Sequence, residues 1–235
     1  MLEFDLLAHP GVQAGPNGIP INLTTVGSHS FRSENVLAYE LGYRVQARRW
    51  VSVDLAGHHN IYTHLKTYEP GNPVFAFQPQ PHLDLETRLA NGMRGETHGA
   101  EIATNWNVTE RWRLIPSYSW LQLNMRLDGN SVDKNSRGVE RQNPRHQFQF
   151  RSNLDLSRRL QFDTAAYYTG ALPNLAIPAY TRLDARLGYR PREDFELSLS
   201  GQNLQGGRHA EFFATGPFTR TTIGRSVLLA LTWGL

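Results

Sequence analysis

Hydrophobic and polar residues alternate with a period of two along most of the chain. Between residues 145 and 156, Phe148, Phe150, Leu154 and Leu156 fall on one side and Gln147, Gln149, Arg151, Asn153 and Asp155 on the other. Leu37, Tyr39, Leu41, Tyr43 and Val45 oppose Ala38, Glu40, Gly42, Arg44 and Gln46. Leu183, Ala185, Leu187 and Tyr189 oppose Arg182, Asp184, Arg186 and Arg190, and Val227, Leu229, Leu231, Trp233 and Leu235 oppose Ser226, Ala230, Thr232 and Gly234. Period two belongs to a strand, because successive side chains leave opposite sides of the pleated backbone. It predicts nine strands, over roughly 34–47, 50–64, 84–107, 111–127, 145–156, 159–171, 179–190, 195–205 and 225–235. Several exceed the about five or six residues of an ordinary strand. They reach the about 9–11 residues that a tilted strand needs to cross a bilayer.

The connections alternate in length. Those at 47–49, 108–110, 157–158 and 191–194 are short; those at 65–83, 128–144, 172–178 and 206–224 are mostly long and rich in Gly, Pro, Asn and Arg. Short turns on one edge and long loops on the other are the arrangement of an outer-membrane barrel. The predicted fold class is therefore all-β, with about nine or ten antiparallel transmembrane β-barrel strands. The apolar face should look outward to lipid and the polar face inward. Residues 2–8 can supply a short tenth strand, weakly paired with 225–235 or not at all. The Pro10, Gly11, Gly15, Pro16, Gly18 and Pro20 that follow read as an outer loop. Aromatic residues near strand ends, among them Tyr43, Trp50, Trp112, Tyr118, Trp120, Tyr168, Tyr189 and Trp233, suit the interfacial girdles of such a barrel.

Composition narrows the picture. The most apolar uncharged stretch, Ser226 to Leu235, has ten residues, too short for a spanning helix of about 20. The absence of cysteine excludes disulfide scaffolds, thiolate zinc sites and cysteine nucleophiles. The net charge of +3 comes mostly from dispersed arginines, lysine standing only at 66 and 134, so no basic patch points to nucleic acid. Met1–Leu7 has two acids and no base, which is not the start of a secretory signal. The expectation is a mature chain or a fragment.

Several stretches carry a family likeness. Ser33-Glu34-Asn35-Val36-Leu37-Ala38-Tyr39-Glu40-Leu41-Gly42-Tyr43-Arg44, the strand Val51–Ala56 followed by Asn60 and Tyr62, and His98-Gly99-Ala100-Glu101-Ile102 are three of them. Tyr180–Arg190, Ser200-Gly201-Gln202-Asn203-Leu204 and the terminal Arg225–Leu235 are the others. Together they resemble the carboxy-terminal part of a TonB-dependent outer-membrane receptor, over essentially the whole chain. The resemblance implies a 22-stranded barrel filled by a plug domain and a location in the bacterial outer membrane. It implies import of a scarce nutrient, above all a ferric siderophore or similar metal chelate. The implied partners are outer-membrane lipid, that small ligand, and the TonB complex reached through an amino-terminal part this chain lacks. Residues 1–235 are then the carboxy-terminal portion of one barrel domain, with the plug absent. The family often ends in an aromatic residue; here Trp233 stands two before Leu235. The alternative is a self-contained small outer-membrane barrel with an adhesive or structural role.

Candidate chemistry is sparse. His58, His59 and His64 form the densest histidine group and are candidate metal ligands near an outer rim. The loop 206–224 combines Arg208, His209, Phe212, Phe213, Phe218 and Arg220, which suit an anionic, partly aromatic chelate. Glu40, Arg44, Asp54, Glu101, Asp155, Arg182, Asp184 and Arg186 share the polar faces and are expected to form ion-pair ladders rather than a catalytic site. No catalytic residues and no cofactor are expected, and the chain is not expected to be an enzyme.

Overall fold

The computed structural model describes residues 8–15, 18–78, 80–211 and 222–234. Among them are twelve strands in one sheet and two short 3₁₀ turns, Ser136–Arg141 and Pro173–Leu175. In chain order the strands are β1 (Ala8–Ala14), β2 (Pro20–Val26), β3 (Asn35–Arg48), β4 (Val51–Pro70), β5 (Val74–Ala76) and β6 (His82–Thr109). There follow β7 (Trp112–Leu127), β8 (His146–Ser157), β9 (Leu160–Thr169), β10 (Tyr180–Arg192), β11 (Phe195–Gln202) and β12 (Ser226–Trp233). All nine predicted strands are present, and each is hydrogen-bonded to the next one predicted. The chain divides into two compact units: Met1–Ala38 with Asn60–Thr97 and Leu123–Glu140, and Tyr39–His59 with His98–Gln122 and Arg141–Leu235.

The second unit is a meander. β7–β8, β8–β9, β9–β10, β10–β11 and β11–β12 are antiparallel, with Trp112 opposite Leu154, Gln147 opposite Thr169, Leu183 opposite Ala166, Leu187 opposite Leu199 and Leu199 opposite Leu229. Like faces like in each pair, so the alternation of the sequence becomes two continuous faces. The apolar face stays exposed: Leu41 by 80%, Leu229 by 67%, and Leu187 and Phe148 by just over 40%. A soluble sheet buries such a face; a sheet that leaves it open is suited to a lipid solvent. Phe150 is half-buried rather than exposed, lying between Pro116 of β7 and Ala166 of β9. Trp50, Trp106, Trp112 and Trp233 are exposed beside the short turns, Trp50 against Trp106 with ring centroids 6.3 Å apart. Among the described residues β12 pairs with β11 and no other strand. Residues 2–7 of the suggested tenth strand lie outside the described residues, whereas Ala8 opens β1.

The polar face is held by the expected ladder. Asn153 of β8 donates to Asp163 of β9 (2.8 Å), and Arg186 of β10 reaches both Asp163 (3.1 Å) and Glu196 of β11. Arg190 adds a second bond to Glu196 (2.6 Å), and Arg44 of β3 pairs with Asp54 of β4. Each rung joins neighbouring strands, so a slip of register by one residue separates every pair.

The first unit departs from the expected pattern. The Pro10–Pro20 stretch, whose prolines and glycines predict an outer loop, instead holds most of β1 and the start of β2, an antiparallel pair of strands. β2 then lies parallel to β6, Ile21 opposite Leu83 through Val26 opposite Arg88, and Asn22 donates to Asp84 at 2.8 Å. A parallel pair needs a long crossover, which the fifty-odd residues between β2 and β6 supply. The stretch 65–83 is likewise not one loop: β4 runs on to Pro70, and β5 pairs antiparallel with β6.

In this unit Gly95 gives way to Met125, whose Sδ would lie 2.2 Å from any Cβ added there. The loop after β7 is tied to β4 by two carboxylates. Glu69 accepts from the Ser131 hydroxyl and the Val132 amide, both at 2.7 Å. Buried Asp133 accepts from the amides of Tyr68 (2.7 Å), Asn135 (2.8 Å) and Ser136 (3.0 Å). Burial pushes both carboxyls up, but these hydrogen bonds outweigh it and hold both below the ordinary carboxylate range.

Candidate functional site

The long connections of the second unit gather at the ends of β9 and β10 away from the short turns. Tyr167 is opposite Arg182 in the β9–β10 register, so both rise from the polar face. The Arg182 guanidinium lies 5.1 Å from the centre of the Tyr167 ring. Asp184, two residues on, grips Arg182 through Nε (3.0 Å to each oxygen) and Nη2 (2.6 Å). That fork fixes the guanidinium plane and leaves Nη1 unused by Asp184.

The return loop is pinned to the same carboxylate. Asn203 adopts φ +52°, is almost wholly buried, and donates its amide to Asp184 at 3.0 Å. Its side-chain nitrogen donates to the Gly207 carbonyl at 3.0 Å, and a bridge joins His209 to Ile223. The chain is thereby turned so that His209 stacks on Tyr180, centroids 4.2 Å apart, with its Nε2 3.0 Å from Glu211. Leu172, Ile177 and Ala210 form the small apolar core beneath. The result is a strip of two tyrosines, one oriented arginine and one stacked histidine on the polar face. It offers ring faces and charged donors to an anion that carries aromatic groups. Nothing in it pairs a nucleophile with a base.

His209 is thus built into a site, while Arg208 is exposed beside Gly224. Phe212, Phe213, Phe218 and Arg220 lie outside the described residues. Tyr167 and Tyr180 were not singled out from the sequence. Their strand parity with Arg182 was legible, but not the register that brings Tyr167 beneath it.

The three histidines proposed as metal ligands have three different sets of partners. The His58 ring covers Gly99, its Cε1 occupying the place of an added Cβ at 2.0 Å. His59, on the opposite face by alternation, stacks on His98 with centroids 4.5 Å apart. His64 has φ +58° and a 3.3 Å contact with Asn35.

Residues 6–204 match the TonB dependent receptor-like β-barrel family. The chain belongs to that family. Among solved structures it resembles the ferric-catecholate import receptor Fiu of E. coli K12, with 16% identity, a TM-score of 0.64, 97% of this chain covered and 30% of that one. It also resembles the FrpB iron transporter of Neisseria meningitidis, with 11% identity, a TM-score of 0.67, and 89% and 33% covered. The ferric yersiniabactin uptake receptor FyuA of Yersinia pestis gives 18% identity, a TM-score of 0.59, and 92% and 32% covered. At these identities the likeness is one of fold. The chain spans about a third of the length of each of these receptors. The family accounts for the exposed apolar faces, the alternating connections and the polar ladders: these are strands of an outer-membrane barrel type.

Proposed function

We propose that these strands form part of the barrel wall of an outer-membrane receptor that imports a ferric siderophore or similar metal chelate. The Tyr167–Arg182–Tyr180–His209 strip contributes to the ligand path. The single observation behind this is the strip itself: ring faces flank an arginine whose plane Asp184 fixes, at the long-loop end of a TonB-dependent barrel. A ferric catecholate-type chelate carries negative charge and flat rings, which suit a guanidinium and stacked aromatics. Arg208 and the arginine and phenylalanines of 212–220 belong to the same loop and are proposed to complete the surface. Energy for transport comes, on this reading, from the TonB complex acting through a part of the receptor outside these strands.

The test is uptake of radioiron presented as a panel of chelates by cells carrying the receptor with Arg182→Ala, Tyr180→Ala or His209→Ala. Uptake of one chelate class is expected to fall about tenfold or more, since a charged, oriented contact is worth about 1.5–3 kcal/mol. Unchanged uptake of every chelate by all three variants would remove the strip from the ligand path.

A further inference from the structure

A second site sits on the other face of the second unit. His59 of β4 and His98 of β6 meet across the sheet, their Nδ1 atoms 3.1 Å apart and their rings inclined by 25°. The Tyr39 ring of β3 lies against His59 at 15°, with centroids 6.1 Å apart. The face is the apolar one. His59 follows Val51, Val53 and Leu55 in β4, and His98 shares parity with Ile102 and Trp106 in β6; Leu55, Ile102 and Trp106 are all exposed. His58 marks the opposite face by covering Gly99.

Depth explains why histidines stand here rather than leucines. His59 is nine residues beyond Trp50 at the short turn. At about 3.3 Å per residue and a tilt of about 40°, that is a rise of roughly 23 Å. The apolar band of such barrels is about 25 Å tall. With the short turns at the inner edge of the membrane, the pair lies where the band ends and water, headgroups and ions begin.

We propose that His59 and His98 form a two-imidazole site for a divalent first-row transition ion, bridging β4 and β6 at the outer edge of the lipid-facing surface. The spacing carries the proposal. Two nitrogens each about 2.05 Å from one ion are separated by about 2.9 Å at a right angle and about 3.3 Å at the tetrahedral angle. The observed separation falls between these. Both nitrogens are Nδ1, so a single ion reaches both when each ring carries its proton on Nε2. In the ion-free pair, one Nδ1 must instead donate to the other. Neighbouring aromatic stacking limits the ring rotation that binding must otherwise freeze. Imidazole favours Cu²⁺, Ni²⁺ and Zn²⁺ over Mg²⁺ or Ca²⁺, so the site discriminates against the ions most abundant at a lipid surface.

The experiment is Cu²⁺ binding to the detergent-purified receptor, followed by electron paramagnetic resonance and by calorimetry with Zn²⁺. The intact protein is expected to show a Cu²⁺ signal split by two equivalent nitrogens. His59→Asn and His98→Asn should each reduce that to one nitrogen and weaken Zn²⁺ binding by at least about tenfold, since even partners of a ligand are worth that much. His58→Asn should leave both unchanged. Absence of a two-nitrogen signal in the intact protein would overturn the proposal without reference to any variant. So would retention of the signal in both His59→Asn and His98→Asn, or its loss in His58→Asn. Chelate uptake is read separately, so failure here leaves the ligand-path proposal standing, and failure there leaves this one.

Discussion

Arg186 shows how much a single side chain holds in this sheet. It touches Asp163 on one neighbouring strand and Glu196 on the other, and none of the three side chains is more than about a third exposed. Arg186→Ala leaves two carboxylates facing each other on the polar side with one cation fewer. The expected cost is about 1–2 kcal/mol, toward the low end of what an unpartnered buried charge costs because solvent still reaches all three. Urea unfolding of the receptor in lipid vesicles measures it. Arg186→Lys should recover only part, because a lysine reaches one carboxylate at a time where the guanidinium forks to two.

The loop after β7 carries the clearest pH dependence. Glu69 and Asp133 have carboxyls held below their ordinary range in the folded chain by hydrogen bonds from Ser131, Ser136 and several backbone amides. A carboxylate whose folded value is depressed stabilises the fold above its unfolded value and loses that contribution as pH falls through the folded one. The loop should therefore be firmly docked at neutral pH and loosen only below about pH 4, where ordinary carboxyls already titrate. Hydrogen exchange of the Val132 and Tyr68 amides between pH 6 and pH 2.5, corrected for the intrinsic rate, is expected to show protection falling at the acid end. Glu69→Gln should lower protection of Val132 at neutral pH and flatten its dependence. Protection of Val132 that stays constant to the lowest pH would show that the carboxylate is not what holds it.

At the scale of the molecule the chain covers about a third of the receptors it resembles. Expression of these 235 residues alone in a strain lacking its siderophore receptor is accordingly expected not to restore growth on the ferric chelate; restored growth would show that the strands act as a complete transporter. The nine long strands were legible because lipid on one side and a polar interior on the other impose the same period on every one. β1, β2 and β5 were not. Pro10, Gly11 and Pro20 look like loop punctuation, and β5 is three residues long. The charges of the ladders were visible as a polar face, but their partners follow from register. The His59–His98 pair is another product of register, 39 residues apart in sequence. Nearness along the chain groups His58, His59 and His64, whereas the partner of His59 across the sheet, His98, follows only from register.

The parallel pairing of β2 with β6 bears on how the chain assembles. Its members are about 62 residues apart, as in Asn22 and Asp84, whereas β8–β9 and β10–β11 close over turns of a few residues. Loop closure costs more entropy the longer the loop, and that cost falls due before any contact rewards it. The hairpins of the second unit can form early and locally. β2 has no place to dock until residues 83–88 are already extended as strand. The β1–β2 pair can close locally, but β2, which precedes β6 in the chain, is on this account among the last to gain its second neighbour, and its alternating Ile21 and Leu23 must be shielded in the interval.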